Sequence, residues 1–358
     1  MNILIDVLLP FLRLGITGFG GPLALVAQMQ TDFVEKRQWI PQEEFQQAFT
    51  LIKSMPGAVA FNTAVYLGKR RAGFLGALLA GLGLVMPAFL MILFFAANYS
   101  FFHASSLMDK LLTGMQAGAL ALILAAVKPL TGNYLKSIPF WTLVATAMIL
   151  FSKTQIPEPM LILGGGILCI LTKISKVESK NTLRSLPVLP QLFWICFKAG
   201  AFVFGSGIAI APMLEKDFVQ DLHWITHTEF MDALAVGQIT PGPVLLTTTF
   251  LGHKVAGLAG AILATSGVFL AGFIHMTTWF PTAVNKLSRQ KWIQDFLFGA
   301  LAMVVGTILA TVIRLLLPWS TLPQLYGVMA FSLLLAWKFK IPSWSIILIG
   351  AGLGPFIL

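Results

Sequence analysis

Gly15-Ile-Thr-Gly-Phe-Gly-Gly-Pro22 interrupts an apolar segment near the start of the chain. Gly200-Ala-Phe-Val-Phe-Gly-Ser-Gly207 interrupts another, 185 positions later. Read outward from these stretches, the register holds. The same shift carries Phe19 onto Phe204, Gly20 onto Gly205 and Ala24 onto Ala209. It then superimposes Asp32-Phe33-Val34 on Asp217-Phe218-Val219, Trp39-Ile40 on Trp224-Ile225, Glu44-Phe45 on Glu229-Phe230 and Pro56-Gly57 on Pro241-Gly242. After a one-residue gap it resumes at Thr63/Thr247, Leu67-Gly68/Leu251-Gly252, Ala72-Gly73/Ala256-Gly257 and Gly76-Ala77/Gly260-Ala261. A register this long marks an internal duplication. It divides the chain into a first repeat, 1–172, a basic linker, 173–187, and a second repeat, 188–358.

Composition places both repeats in a membrane. Of 358 residues, 57% are apolar and 11% charged, whereas soluble domains carry roughly a quarter charged residues. Mean hydropathy is +0.84. Apolar segments fall near 3–28, 45–68, 72–97, 111–130, 138–152 and 156–171, and again near 188–213, 230–252, 255–280, 296–317, 321–337 and 341–357. Duplication inside a polytopic membrane protein is characteristic of secondary transporters.

The net charge of +10 sits mainly in short loops, as in Lys69-Arg70-Arg71 and the linker's Lys173, Lys176, Lys180 and Arg184, so it reads as a topology signal and not as a nucleic-acid surface. Equivalent loops carry opposite bias. Glu35-Lys36-Arg37 corresponds to Gln220-Asp221-Leu222, whereas the stretch 98–110 has one lysine and 281–295 has Lys286, Arg289 and Lys291. Opposite bias at equivalent positions predicts inverted repeats. If 45–68 and 230–252 are re-entrant hairpins broken at Pro-Gly, each half crosses five times, and the odd number inverts the second copy. The expected fold is thus an all-α polytopic membrane protein of two inverted-topology repeats with broken or re-entrant helices and about ten crossings. The linker is then cytoplasmic and both termini lie outside. The N-terminus lacks the basic region of a signal peptide, so the first helix is expected to stay in the mature protein.

Chemistry is expected at four breaks: 15–22, Ser54-Met-Pro-Gly57, 200–207 and Thr240-Pro-Gly-Pro243. Non-helical backbone at membrane depth belongs where protein buries it or where it lines a cavity. A helix that restarts there presents free N–H groups and a positive end, which suits an anion. The candidate binding residues are Thr17, Gly20, Gly21, Pro22, Ser54, Pro56, Gly57, Asn62, Gly205, Ser206, Gly207, Gln238, Thr240, Pro241, Gly242, Pro243 and Thr247, with Arg13, Lys53 and Lys198 as cations. Arg13 and Lys198 also fit snorkelling to an interface, and the hydroxyls fit bonding to their own helices. Glu44, Glu229, Asp32 and Asp217 precede the Pro-Gly segments; they fit either proton coupling or capping of the hairpin helices. Cys169 and Cys196 form no CxxC pair. His223 and His227 have helical metal spacing but no third ligand. Neither a Walker sequence nor an HExxH signature occurs, so no metal, no cofactor and no enzymatic activity are expected.

The stretch from Gly18 to Met91 resembles the chromate ion transporter (CHR) family. The residues that carry it are Phe19-Gly-Gly-Pro22, Phe33-Val-Glu-Lys-Arg37 with Trp39, Pro56-Gly57, Gly68 with Arg71-Ala-Gly73, and Pro87. Phe204-Gly205, Thr240-Pro-Gly-Pro243, Gly252 and Ala256-Gly257 repeat it, as in a long-chain, two-domain member. The resemblance implies a secondary transporter that expels chromate across a bacterial inner membrane and confers chromate resistance. Its partners would be a small inorganic oxyanion and membrane lipid, without nucleic acid, and a homodimer is compatible. Three positions depart from the family pattern: Ala58 replaces the final proline of Pro-Gly-Pro, Lys53 stands at a usually uncharged position, and Leu25 stands where histidine is frequent. Because these positions lie at the presumed site, a carrier of sulfate or another oxyanion stays open, as does a non-transporting membrane receptor.

Overall fold

The computed structural model describes residues 3–19, 21–55, 57–154, 156, 158–171, 187–203, 207–280, 291–339 and 341–357. All described elements are helical and no strand occurs among the described residues. Helices satisfy their own backbone, which lipid cannot do.

Helix α1 (Ile3–Thr17) stops at Gly18-Phe19. Helix α2 (Gly21–Met29) then runs into a π-helical stretch, Gln30–Lys36. The two pieces are antiparallel: Arg37 donates to Asp6 at 2.9 Å, and Phe11 stacks on Phe33 at 4.5 Å. The next segment repeats the move. Helix α3 (Gln42–Ser54) leads to the break at 55–58, and α4 (Val59–Ala97) opens with a return arm, 59–71. Arg70 on that arm donates to Glu44 at 2.6 Å, and the Tyr66 hydroxyl donates to the same carboxylate at 2.8 Å. Glu44 begins α3, so both ends of this hairpin lie at one end of the bundle. The segment doubles back.

Helix α4 then reverses at Ala72-Gly73. Gly73 has φ +62°, a conformation that glycine adopts without steric cost, and the turn brings the backbones of Gly68 and Gly76 into contact. The outgoing arm, 74–97, is about 36 Å long at the α-helical rise, enough for a hydrocarbon core of about 30 Å. Phe74, Leu78, Leu82, Met86, Leu90 and Phe94 lie exposed along it at four-residue spacing, a stripe suited to lipid. Helices α5 (Tyr99–His103), α6 (Ser106–Ala125), α7 (Val127–Thr131), α8 (Ile138–Lys153) and α9 (Glu158–Leu171) complete the half.

The second half retraces this path. It comprises α10 (Val188–Phe202), α11 (Ala211–Leu214) with the π-helical Glu215–Asp221, α12 (His227–Ile239), α13 (Thr247–Thr277), α14 (Lys291–Leu316), α15 (Gln324–Leu334) and α16 (Ser343–Ile357). Lys198 reaches Asp217 at 2.7 Å, Lys254 reaches Glu229 at 2.8 Å, and Ala256-Gly257 repeats the turn with φ +58°.

The two long outgoing arms, of α4 and α13, run antiparallel. Lys69, beside the first turn, donates to the carbonyl of Thr277 at the far end of α13. Lys254, beside the second turn, lies 4.2 Å from the ring centroid of Tyr99, just past the far end of α4. Each turn sits where the other half's long arm stops. Between them the arms pack together, with Phe74 against Phe273 at 5.6 Å and Phe61 against Phe269 at 4.6 Å.

Among the described residues, four helices are long and apolar enough to cross a membrane, alongside shorter apolar ones. Lengthwise runs in the first half are the outgoing arm of α4, α6 with α7, α8 and α9. Their counterparts are the outgoing arm of α13, α14, α15 and α16. The first segment of each half, like the second, doubles back on itself, as the Arg37–Asp6 and Lys198–Asp217 contacts record. The linker lies outside the described residues, except for Pro187.

Candidate functional site

The breaks meet across the two halves. The N–H of Gly57 donates to the Val203 carbonyl at 2.6 Å, and the N–H of Gly242 donates to the Gly18 carbonyl at 3.0 Å. Positions 57 and 242 are equivalent under the 185-residue shift, as are 18 and 203, so one contact is made twice. Gly57 has φ +124° and Gly242 φ +96°, backbone states that favour glycine. Gly242 also lies well inside the bundle: a side chain there would meet Ala88 and Leu84 on the outgoing arm of α4, at 3.4 and 3.6 Å. These two N–H groups therefore hold the halves together and are not offered to a ligand. The donors left over at the first break are the N–H groups of Val59, Ala60 and Phe61, in the first turn of α4.

Two side chains at the breaks are buried without partners. Asn62 is fully buried, and its amide nitrogen and oxygen bond to no described group. It lies beside Gly57, where an added Cβ would stand 2.6 Å from the Asn62 Nδ2, and its Oδ1 points at Gly272 of α13. Gln238, 4% exposed, has the same unpartnered amide two residues before Thr240. It occupies the position equivalent to Lys53. An orphaned buried amide costs about 1–3 kcal/mol, and an oxyanion would relieve that cost by accepting the free N–H bonds.

The remaining candidates divide by what they touch. The hydroxyls of Thr247 and of its repeat equivalent Thr63 donate to Val244 and Val59 carbonyls at 2.9 and 2.8 Å. Those of Thr17 and Thr240 donate to Arg13 and Gly237 carbonyls at 2.8 and 3.2 Å. All four spend their protons on their own helix. Arg13, before the first break, and Lys53, in the last turn of α3, are exposed, and no ion pair joins either to a described residue. Lys198, the counterpart of Arg13, is paired with Asp217. Gly21 (φ +84°) faces open space, whereas Gly207 packs against Leu245. Pro22 is half-buried just inside α2, Pro241 and Pro243 are buried, and Ser54 ends α3. Gly20, Pro56, Gly205 and Ser206 lie outside the described residues.

Every acid expected to couple protons is in an ion pair: Glu44 with Arg70, Glu229 with Lys254, Asp32 with Lys36 at 2.9 Å, and Asp217 with Lys198. Glu229 also caps α12, receiving the Thr226 N–H at 2.8 Å while its own N–H donates to the Thr226 hydroxyl at 3.2 Å. Three buried carboxylates are missing from the sequence-derived candidates: Glu215, which pairs with Arg314 at 2.9 Å, Glu158 and Asp232. Glu158, at the start of α9, receives the Thr307 hydroxyl at 2.5 Å, and Asp232 lies within α12. Both belong to apolar segments, and the rarity of charge at membrane depth was the signal that could have found them.

Repeated helices with a lipid-suited exterior, and broken segments joined inside, define a polytopic membrane transport protein. The chain belongs to the chromate transporter family, whose model, described as Chromate transporter, matches residues 5–170 and 190–355 and so covers both halves. It is 34% identical to a probable chromate transport protein of Synechococcus elongatus, over 85% of this chain and 82% of that one. It is 34% identical to the chromate transport protein of Cupriavidus metallidurans (85% and 80% covered) and 27% identical to that of Pseudomonas aeruginosa (97% and 91%). No solved structure matches the chain.

Proposed function

We propose that this protein exports chromate, or a tetrahedral dianion of similar shape, across a bacterial inner membrane by secondary active transport, and thereby confers chromate resistance. The observation that carries this reading is the pair of unpartnered amides, Asn62 and Gln238, beside breaks that clamp one half to the other. They supply N–H donors where no described residue supplies a competing acceptor. Lys53 and Arg13 supply positive charge near the first break, and the first turn of α4 adds oriented N–H groups. The names of the relatives favour chromate as the substrate.

The opposed halves suggest how the ion moves. In an inverted-repeat carrier, one repeat rocks against the other around a fixed midplane site. The Gly57–Val203 and Gly242–Gly18 contacts are equivalent clamps on opposite halves. Releasing one while the other holds would open the site to one side and then to the opposite side. Glu44, Glu229, Asp32 and Asp217 fit either proton coupling or capping from sequence; the Glu44–Arg70 and Glu229–Lys254 pairs favour a holding role at the hairpin mouths.

The test is radiolabelled chromate flux into proteoliposomes of the purified protein, with sulfate as competitor and an imposed pH gradient. Saturable flux that responds to the gradient and resists sulfate supports a chromate-selective, proton-linked carrier. Equal competition by sulfate widens the substrate to oxyanions in general. Folded protein that moves neither ion overturns the assignment.

A further inference from the structure

His103 joins two carboxylates. Its Nδ1 lies 2.8 Å from Asp109 Oδ1 and its Nε2 lies 3.1 Å from Asp232 Oδ2. The Asp109 side chain is 57% exposed and that of Asp232 only 1%, so the imidazole bridges surface and interior. Asp232 also receives the Tyr99 hydroxyl at 2.7 Å and the Gln116 amide at 2.8 Å. The nearby lysine, Lys254 over the Tyr99 ring, is already paired with Glu229. Helix α6 brings Lys110 next to Asp109 in sequence, and α16, which also packs on α12, has no titratable side chain.

The geometry itself demands a proton. An ionised carboxylate only accepts hydrogen bonds, so an imidazole flanked by two of them must carry N–H on both nitrogens. Without that proton, one ring nitrogen faces a carboxylate lone pair to lone pair. Asp232 stands on α12, the inbound arm of the second hairpin, six residues before Gln238. The equivalent residue of the first half is Gln47, which is exposed, so the second hairpin alone carries this carboxylate.

We propose that Asp109, His103 and Asp232 form a proton relay between the aqueous phase at that end of the bundle and the second hairpin, and that the bound proton latches α12 to α5 and α6. The doubly protonated ring first releases its Nδ1 proton through Asp109, leaving a neutral ring with N–H at Nε2; a proton returning through Asp109 then refills Nδ1 as the Nε2 proton passes to Asp232. Losing the proton frees α12 to move. Coupling of this step to an oxyanion rests on the transport reading above; the protonation of the cluster does not.

Two rates in proteoliposomes test the relay: chromate uptake driven by a pH gradient, and chromate–chromate exchange without one. In His103→Gln and Asp232→Asn the ratio of driven uptake to exchange should fall about tenfold, a scale typical of coupling between sites. An equal fall in both rates makes the cluster structural and overturns the proposal, as does an unchanged ratio. Asp109→Asn, at an exposed position, guards against misfolding; it should slow driven uptake, and a small permeant buffer should restore it. Isotope-labelled histidine NMR of the full chain separates failure of the relay from failure of the transport reading. His103 should carry protons on both nitrogens in the unaltered protein and lose one in Asp232→Asn. A singly protonated His103 in the unaltered protein overturns the relay whether or not chromate is carried.

Discussion

Gly57 and Val203 belong to different halves, yet the Gly57 N–H lies 2.6 Å from the Val203 carbonyl oxygen. The second copy of this bond, Gly242 to Gly18, makes the breaks a joint between the repeats. A membrane helix that stops must find partners for its freed backbone groups, and here each break finds one in the other half.

Substituting those glycines should therefore weaken the joint. Gly57→Ala and Gly242→Ala force a side chain into positive φ, which costs about 1–3 kcal/mol, and at Gly57 the new Cβ also collides with Asn62. Both variants should melt at lower temperature in detergent and carry less chromate. Gly352→Ala is the control: it sits in α16 with nothing within 4 Å, and alanine there should be neutral or stabilising by up to about 1 kcal/mol. Equal melting temperatures for all three would remove the joint from the account.

Asn62→Leu and Gln238→Met replace orphaned amides by apolar groups of similar size. Removing a buried polar group that has no partner is nearly neutral or stabilising, so thermal stability should hold or rise. Chromate flux should fall at least about tenfold, because the lost donors are those meant for the ion. Retained flux with raised stability would assign the amides a packing role.

Lys53→Gln and Arg13→Gln should raise the chromate KM more than they lower the maximal rate, since each removes an exposed charge that attracts the ion without touching the joint. Expression should stay level. Normal KM in both variants would leave these residues a topological role.

The mouths of the hairpins rest on ion pairs, and swapping charges separates pairing from proton transfer. Both partners of Glu44–Arg70 are partly exposed, so breaking the pair should cost no more than about 1 kcal/mol. Glu44→Arg combined with Arg70→Glu should recover stability and flux together. Loss of flux that the swap cannot restore would return Glu44 to proton coupling.

Cysteines at Lys36 and Arg70 should be labelled by an impermeant reagent from one side of the membrane, and a cysteine at Lys254 from the other. Labelling of Lys36 and Arg70 from opposite sides would break the re-entrant reading of 45–68.

Much of this architecture was legible in the residues. Hydropathy located the segments within a few positions. The 185-residue register pairs Gly57 with Gly242, and Pro-Gly marks where the helices stop. Asn62 and Gln238 stood among the candidate donors, but nothing in their neighbours separated them from Thr63 or Thr247. That distinction depends on whether a proton has a carbonyl within its own helix: a threonine hydroxyl does, and these two amides do not.

Membrane class, duplication and the positions of the breaks are written in the residues, because composition, period and glycine or proline chemistry act within a few residues of where they stand. Tertiary structure alone decided who meets whom: Gly242 with Gly18, Arg37 with Asp6, and His103 with an aspartate 129 positions away. The first segment of each half doubles back for the same reason. A local pattern states that a group is buried or that a helix ends, while the partner that satisfies it is chosen only when distant segments pack.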